Sequence, residues 1–114
     1  MKSYKMSGLY GEGIVYVINS IEDFDEYAKV TNKSKEKIDK LKERFNKYIG
    51  KIWQDFNKPL DIVDGVQQYM EYKIIGLEDN IPYRDYYWVV QNVDDERDIQ
   101  YVLNIRTGLK EVVD

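Results

Sequence analysis

The apolar residues of this 114-residue chain change their spacing at Pro59. Before it they recur every three to four residues, the period of a helix with one buried stripe. After it they alternate, the period of a strand with one buried face. A chain that separates the two periods in this way cannot interleave them as βαβ units. It must lay its helices on a sheet, which is the α+β arrangement.

The one strand-like run ahead of the helices is GIVYVINS, Gly13 to Ser20, rich in β-branched residues. Ser20 with Asp23 three residues on makes a capping pair, and Glu22, Asp25 and Glu26 suit the positive end of a helix dipole. Ile21, Phe24, Tyr27 and Val30 follow at helical spacing, and Asn32 is a C-terminal stop. Ser34 then opens a longer predicted helix to Phe56, with a stripe of Ile38, Leu41, Phe45, Tyr48, Ile49, Ile52, Trp53 and Phe56. Gly50 inside it costs about 1 kcal/mol against alanine and implies tight packing or a bend.

Beyond Pro59 the alternation predicts strands at 66–75, 83–93 and 99–106 and a short last one at 109–113. Turns fall at 77–82, 94–98 and Thr107-Gly108. The order is β-α-α-β-β-β-β, with two helices on one face of an antiparallel meander. At this length it is a single α+β domain over residues 1–114. The order resembles helix-on-curved-sheet folds such as the cystatin-like group in topology alone, a likeness that implies no function.

Composition narrows the chemistry. The chain has no His and no Cys, which removes the Ser-His-Asp triad, the Cys-His dyad, histidine- or thiolate-held zinc, and disulfides. Catalysis would rest on Asp, Glu, Lys or Tyr, so the expectation is no enzyme, no cofactor and no metal. The start, MKSYKMSGLYGEG, has no apolar run behind its lysines, and no segment approaches the roughly 20 apolar residues of a membrane span. The expected location is the cytoplasm, with no membrane partner.

Charge is uneven. Ser34 to Lys58 holds 8 basic and 4 acidic residues, whereas Pro59 to Asp114 holds 5 basic and 12 acidic, within a net −4. An acidic second half argues against direct nucleic-acid binding. The lysine-rich helix face reads as solvated, with mixed signs at i,i+4 such as Glu36–Lys40 and Glu43–Lys47.

Three local features invite chemistry. GLYGEG, Gly8 to Gly13, precedes a strand and opens no helix, so it reads as a flexible lead-in or edge bulge and not as a phosphate loop. DDERD, with Asp94, Asp95, Glu96 and Asp98, has the wrong spacing for a calcium loop and reads as a solvated turn. Glu71, Asp85 and Asp98 form a weak carboxylate set whose convergence depends on strand register.

The aromatics carry the main expectation. There are 11 Tyr and 2 Trp, and YRDYYWVVQNV, residues 83–93, is aromatic on both faces. One helical layer covers one sheet face, which leaves a surplus. Tyr86 and Trp88, flanked by Arg84, Asp85 and Tyr69, are therefore expected to form an exposed partner-binding face, since Tyr, Trp and Arg dominate interface hot spots. A one-residue slip would put Tyr87 there instead.

The first functional expectation is a small acidic non-enzymatic protein-binding module, an inhibitor of the immunity, antitoxin or phage anti-defence type. Its partner would be another protein or a second copy of itself. The alternative is a small-molecule binder, for a metabolite or nucleotide, with an aromatic pocket between helices and sheet. A carboxylate-based enzyme ranks third.

Overall fold

The computed structural model describes residues 1–8, 11–80, 85–103 and 112–113. Two helices lie against an antiparallel sheet, in the α+β class. The expected series is present as β2 (Gly11–Ile18), α1 (Asp23–Thr31), α2 (Lys35–Tyr48), β4 (Val66–Asn80), β5 (Asp85–Asn92), β6 (Ile99–Leu103) and β7 (Val112–Val113). Two strands are added to it: β1 (Lys2–Gly8) and β3 (Ile52–Val63).

β1 corrects the reading of the glycine cluster. Gly8 pairs with Gly11 at the end of the β1–β2 ladder, and Gly11 has a φ of 113°. The cluster closes a hairpin; it is no lead-in. β3 corrects the end of the long helix. Gly50 takes a φ of 81°, a left-handed turn that L-residues avoid and that stops a helix. Hydrogen bonds from the amides of Ile49 to Phe45 O (2.8 Å) and of Lys51 to Tyr48 O (3.0 Å) satisfy the last carbonyls. Beyond this point Trp53 and Asp55 are buried and Phe56 is exposed, as in a strand. Pro59 sits at a register irregularity of β3, where a strand tolerates a missing N–H. Asp64 (φ 50°) and Gly65 (φ 77°) then make the two-residue turn into β4, the Asp-Gly chemistry that favours tight hairpins.

The start of α1 differs from the expected one: the helix opens at Asp23 with Glu22 before it and no side-chain cap bond, three residues beyond Ser20, whereas the signals at Asn32 and Ser34 hold. Asp23 reaches back to accept hydrogen bonds from the amides of Asn19 (2.9 Å) and Ser20 (3.2 Å). The α1 helix ends at Asn32 in the left-handed region (φ 54°), its amide donating to Ala28 O. Ser34 Oγ accepts from the amide of Lys37 at 3.3 Å.

β4 organises the sheet. Tyr72 is opposite Trp53 of β3 on one edge and Asn92 of β5 on the other. Leu77 is opposite Ile18 of β2 and Trp88 of β5. β2 and β3 therefore run along the same edge of β4, one after the other. Hydrogen bonds from Gly50 N to Ile74 O (2.8 Å) and from Ile74 N to Lys51 O (2.9 Å) continue that edge between them. The two helices are an excursion inserted in what is otherwise one interrupted strand.

A bulge between Ile74 and Gly76 shifts the alternation of β4 by one residue. Tyr72 and Ile74 face the helices before it, and Leu77 and Asp79 after it. The core beneath the helices gathers Ile18, Phe24, Tyr27, Phe45, Ile74, Leu77, Trp88 and Val90. Phe24 meets Tyr27 and Phe45 edge-on, at 6.3 Å and 5.5 Å between centroids.

Candidate functional site

The expected partner face does not form as expected. Trp88 is only 3% exposed and belongs to the core, because β5 presents its Tyr86–Trp88–Val90 side to the helices. Tyr86 is half-buried at the rim of the same side. Tyr69 stands on the β3–β4 ribbon, stacked edge-on against Phe56 with centroids 4.8 Å apart. Asp85 pairs by its backbone with Asn80, and Arg84 lies outside the described residues. Tyr87 and Val89 take the opposite side of β5, where Tyr101 and Tyr4 are 56% and 46% exposed. There the Tyr4 hydroxyl donates to Glu78 at 3.0 Å. Burial and this carboxylate push the Tyr4 hydroxyl up to about 12.

The acidic cluster divides. Asp95 accepts from its neighbour Arg97 at 3.1 Å in an exposed pair, and Asp94 and Glu96 are exposed. Asp98 turns inward. It accepts from Gln100 (2.7 Å), Tyr72 (2.8 Å) and Asn92 (3.2 Å), and these donors lower its pKa. Lys58 in turn donates to the Tyr72 hydroxyl at 2.8 Å. Glu71 projects from the opposite side of β4 to Tyr72, so Glu71 and Asp98 do not converge, and the Asp85 side chain of that expected set lies outside the described residues. Among the described residues no three acidic side chains come together to hold a metal ion. None of the helices there is long and apolar enough to cross a membrane.

The site with chemical content is a cleft of about 490 Å³ between α2 and the far end of the β4–β5 pair. Its upper wall carries Lys33, Lys37, Lys40 and Arg44, with Leu41 between them. The helical period selects these residues: 37, 40, 41 and 44 fall on one side of α2, next to the stripe that seats the helix. Its floor is Asp79 and Tyr86. Asp79 is 2% exposed, placed inside by the bulge and opposite Tyr86 in the ladder.

The floor is a hydrogen-bonded chain. The Tyr27 hydroxyl donates to Asp79 Oδ2 in a short contact, and it lies 3.2 Å from the Tyr86 hydroxyl. With its proton directed to Asp79, Tyr27 can only accept from Tyr86. Burial raises the Asp79 pKa, opposed by the Tyr27 hydrogen bond and by Lys33. Burial, then Asp79 and Tyr86, raises Tyr27 well above a free tyrosine. Lys33 Nζ sits 5.9 Å from the Tyr86 ring centroid, within cation–π range.

Sequence reasoning read the lysines of α2 as a solvated face and placed 77–82 in a turn, so it missed this cleft. Glu36 does pair with Lys40 at 3.3 Å, in the open, where such a pair holds a lysine only loosely. The spacing of Lys37, Lys40 and Arg44 was legible; their facing a buried aspartate was not. Compared with known protein families, with curated proteins and with solved structures, the chain matches none.

Proposed function

We propose that this protein binds a small anionic ligand in the cleft between α2 and the β4–β5 end of the sheet. One observation carries the reading: among the described residues, Lys33, Lys37, Lys40 and Arg44 line one concavity with the buried Asp79 carboxylate, Lys40 being shared with Glu36 in the open. Like charges gathered on one wall raise the local potential and draw an anion. A volume near 490 Å³ falls in the range of sites for small molecules, which is about 300–1,000 Å³. The reading is of binding without turnover. A long nucleic acid is disfavoured by the 12 acidic residues of the second half of the chain.

Native mass spectrometry of the protein taken from cells, with calorimetric titration of inorganic pyrophosphate, tests this. The wild-type protein is expected to carry a small adduct or to bind pyrophosphate. The Lys37→Glu/Lys40→Glu double variant is expected to lose both while staying folded. Absence of adduct and of pyrophosphate binding in the wild type defeats the proposal.

A second reading keeps a protein partner but moves it to the other side of the sheet. The observation favouring it is the exposure of Tyr101 and Tyr4 beside Tyr87. Affinity capture with Tyr101→Ala as the comparison tests it: a partner retained equally by both chains removes this face.

A further inference from the structure

The β3–β4 ribbon runs out beyond the rest of the sheet. β7 meets β3 at Ile52 and Trp53, and β5 takes up its pairing with β4 at Tyr72. Among the described residues the two strands continue alone from there to the Asp64-Gly65 turn, in a molecule 51 Å long and 29 by 24 Å across. A lone two-stranded hairpin is marginal in water, and this one is apolar: Phe56, Leu60, Ile62, Val63 and Val66 are each at least half exposed. We propose that the ribbon pairs with the ribbon of a second copy of the chain, β4 against β4, antiparallel across a two-fold axis.

The chemistry of the edge selects that occupant. An open strand edge is a template for another strand, and sheets ordinarily guard it with lysine, proline or a bulge. The outer strand β1 carries Lys2 and Lys5. β3 carries Lys58, Pro59 and two register irregularities. The β4 edge from Val66 to Met70, VQQYM, has no charge, no proline and no bulge. A strand that pairs antiparallel with its own copy sets like residues near like, where equal charges would repel. An uncharged edge escapes that cost, and it offers nothing to a partner recognised by charge. Gln67 Nε2 donates to the carbonyl oxygens of Leu60 (2.5 Å) and Gln68 (2.9 Å), and Gln68 Nε2 to that of Val66 (3.3 Å). A carbonyl oxygen keeps a second lone pair for a ladder bond.

The area agrees with a weak, reversible dimer. At these exposures the five apolar side chains leave on the order of 500 Å² open on each copy, so two ribbons have about 1,000 Å² to remove, where specific interfaces begin.

Sedimentation equilibrium from about 1 to 500 μM, with amide hydrogen exchange at both ends of that range, tests the proposal. The wild-type mass is expected to rise with concentration from 13.6 kDa to twice that value and to stop there. Exchange across residues 66–70 is expected to slow about tenfold or more over the same range. Val66→Lys/Gln68→Lys, which gives β4 the guard that β1 already has, is expected to stay folded by circular dichroism, remain monomeric and lose the concentration-dependent protection. A wild type that stays monomeric throughout overturns the proposal, as does a mass that climbs past the dimer. A dimer that forms without added protection at 66–70, or a folded variant that still dimerises, overturns it as well. The wild-type measurements decide the matter even where the variant fails to fold.

Discussion

The Trp88 indole meets the Tyr48 ring edge-on, with centroids 5.5 Å apart, so the middle of β5 and the last turn of α2 are seated on one another. Trp88→Ala is therefore expected to cost about 3–5 kcal/mol, as large aromatic truncations in a core do, against a total of about 5–15. Tyr87 lies half-buried on the opposite side, and Tyr87→Ala is expected to cost about 1 kcal/mol. Urea unfolding of the pair is the measurement. Equal losses would mean that both sides of β5 are covered alike.

Phe45 probes the seating of α2 from the other direction. It is buried against Phe24, and Phe45→Ala should cost about 3–5 kcal/mol. Ile52, only partly buried at the start of β3, should lose less on truncation. A Phe45→Ala loss below about 1 kcal/mol would show that the helix is not packed on the sheet as described.

Asp79 makes a signed pH prediction. Its pKa is raised by burial, with Tyr27 and Lys33 opposing, so the folded state holds this proton more tightly than the unfolded chain does. Its contribution to stability is full below the unfolded value, near 3.8, and is lost as pH rises through the higher folded value. Asp79→Asn removes that loss. The difference in unfolding free energy between wild type and variant should shift in favour of the variant across that interval and then level off. Glu78, also raised by burial, is present in both chains and cancels. A difference independent of pH from 3 to 8 would show that Asp79 does not titrate abnormally.

Gly76 of β4 sits against the end of β2. A Cβ there would come 2.7 Å from Asn19 Oδ1 and 3.0 Å from the Ile18 carbonyl oxygen. The asparagine can swing away, but the carbonyl belongs to the ladder. Gly76→Ala is expected to cost about 1–3 kcal/mol, and adding Asn19→Ala should restore only part of it. Full restoration in thermal unfolding would put the whole strain on the side chain.

Much of the fold was legible in the sequence. Ser34 and Asn32 mark helix ends in the way their side chains and left-handed tolerance dictate, and the alternation after Pro59 located β4, β5 and β6. The long helix was overextended because Ile52, Trp53 and Phe56 happen to continue a three-to-four spacing. The decisive signal was Gly50 behind them and the Asp64-Gly65 pair ahead, which together bracket a strand. The faces of β5 were not legible, since both sides are aromatic and only the docking of α2 chooses between them. Nor was the cleft, because the bulge at Ile74–Gly76 changes which of Glu78 and Asp79 points inward. A one-residue bulge leaves no mark in a hydrophobic pattern that runs Ile-Ile-Gly-Leu.

The interrupted edge along β4 also orders events in time. β3 can zip onto β4 through a two-residue turn, a process on the order of 1–10 μs for an isolated hairpin. β2 reaches the same edge only after the intervening helical excursion has closed back on itself, and closing a longer loop carries a larger entropic barrier. Refolding should thus form the β3–β4 ribbon early and recruit β1–β2 late. Slowing of the folding arm by a Gly65→Val substitution, with little change from Gly8→Val, is the kinetic signature of that sequence of events.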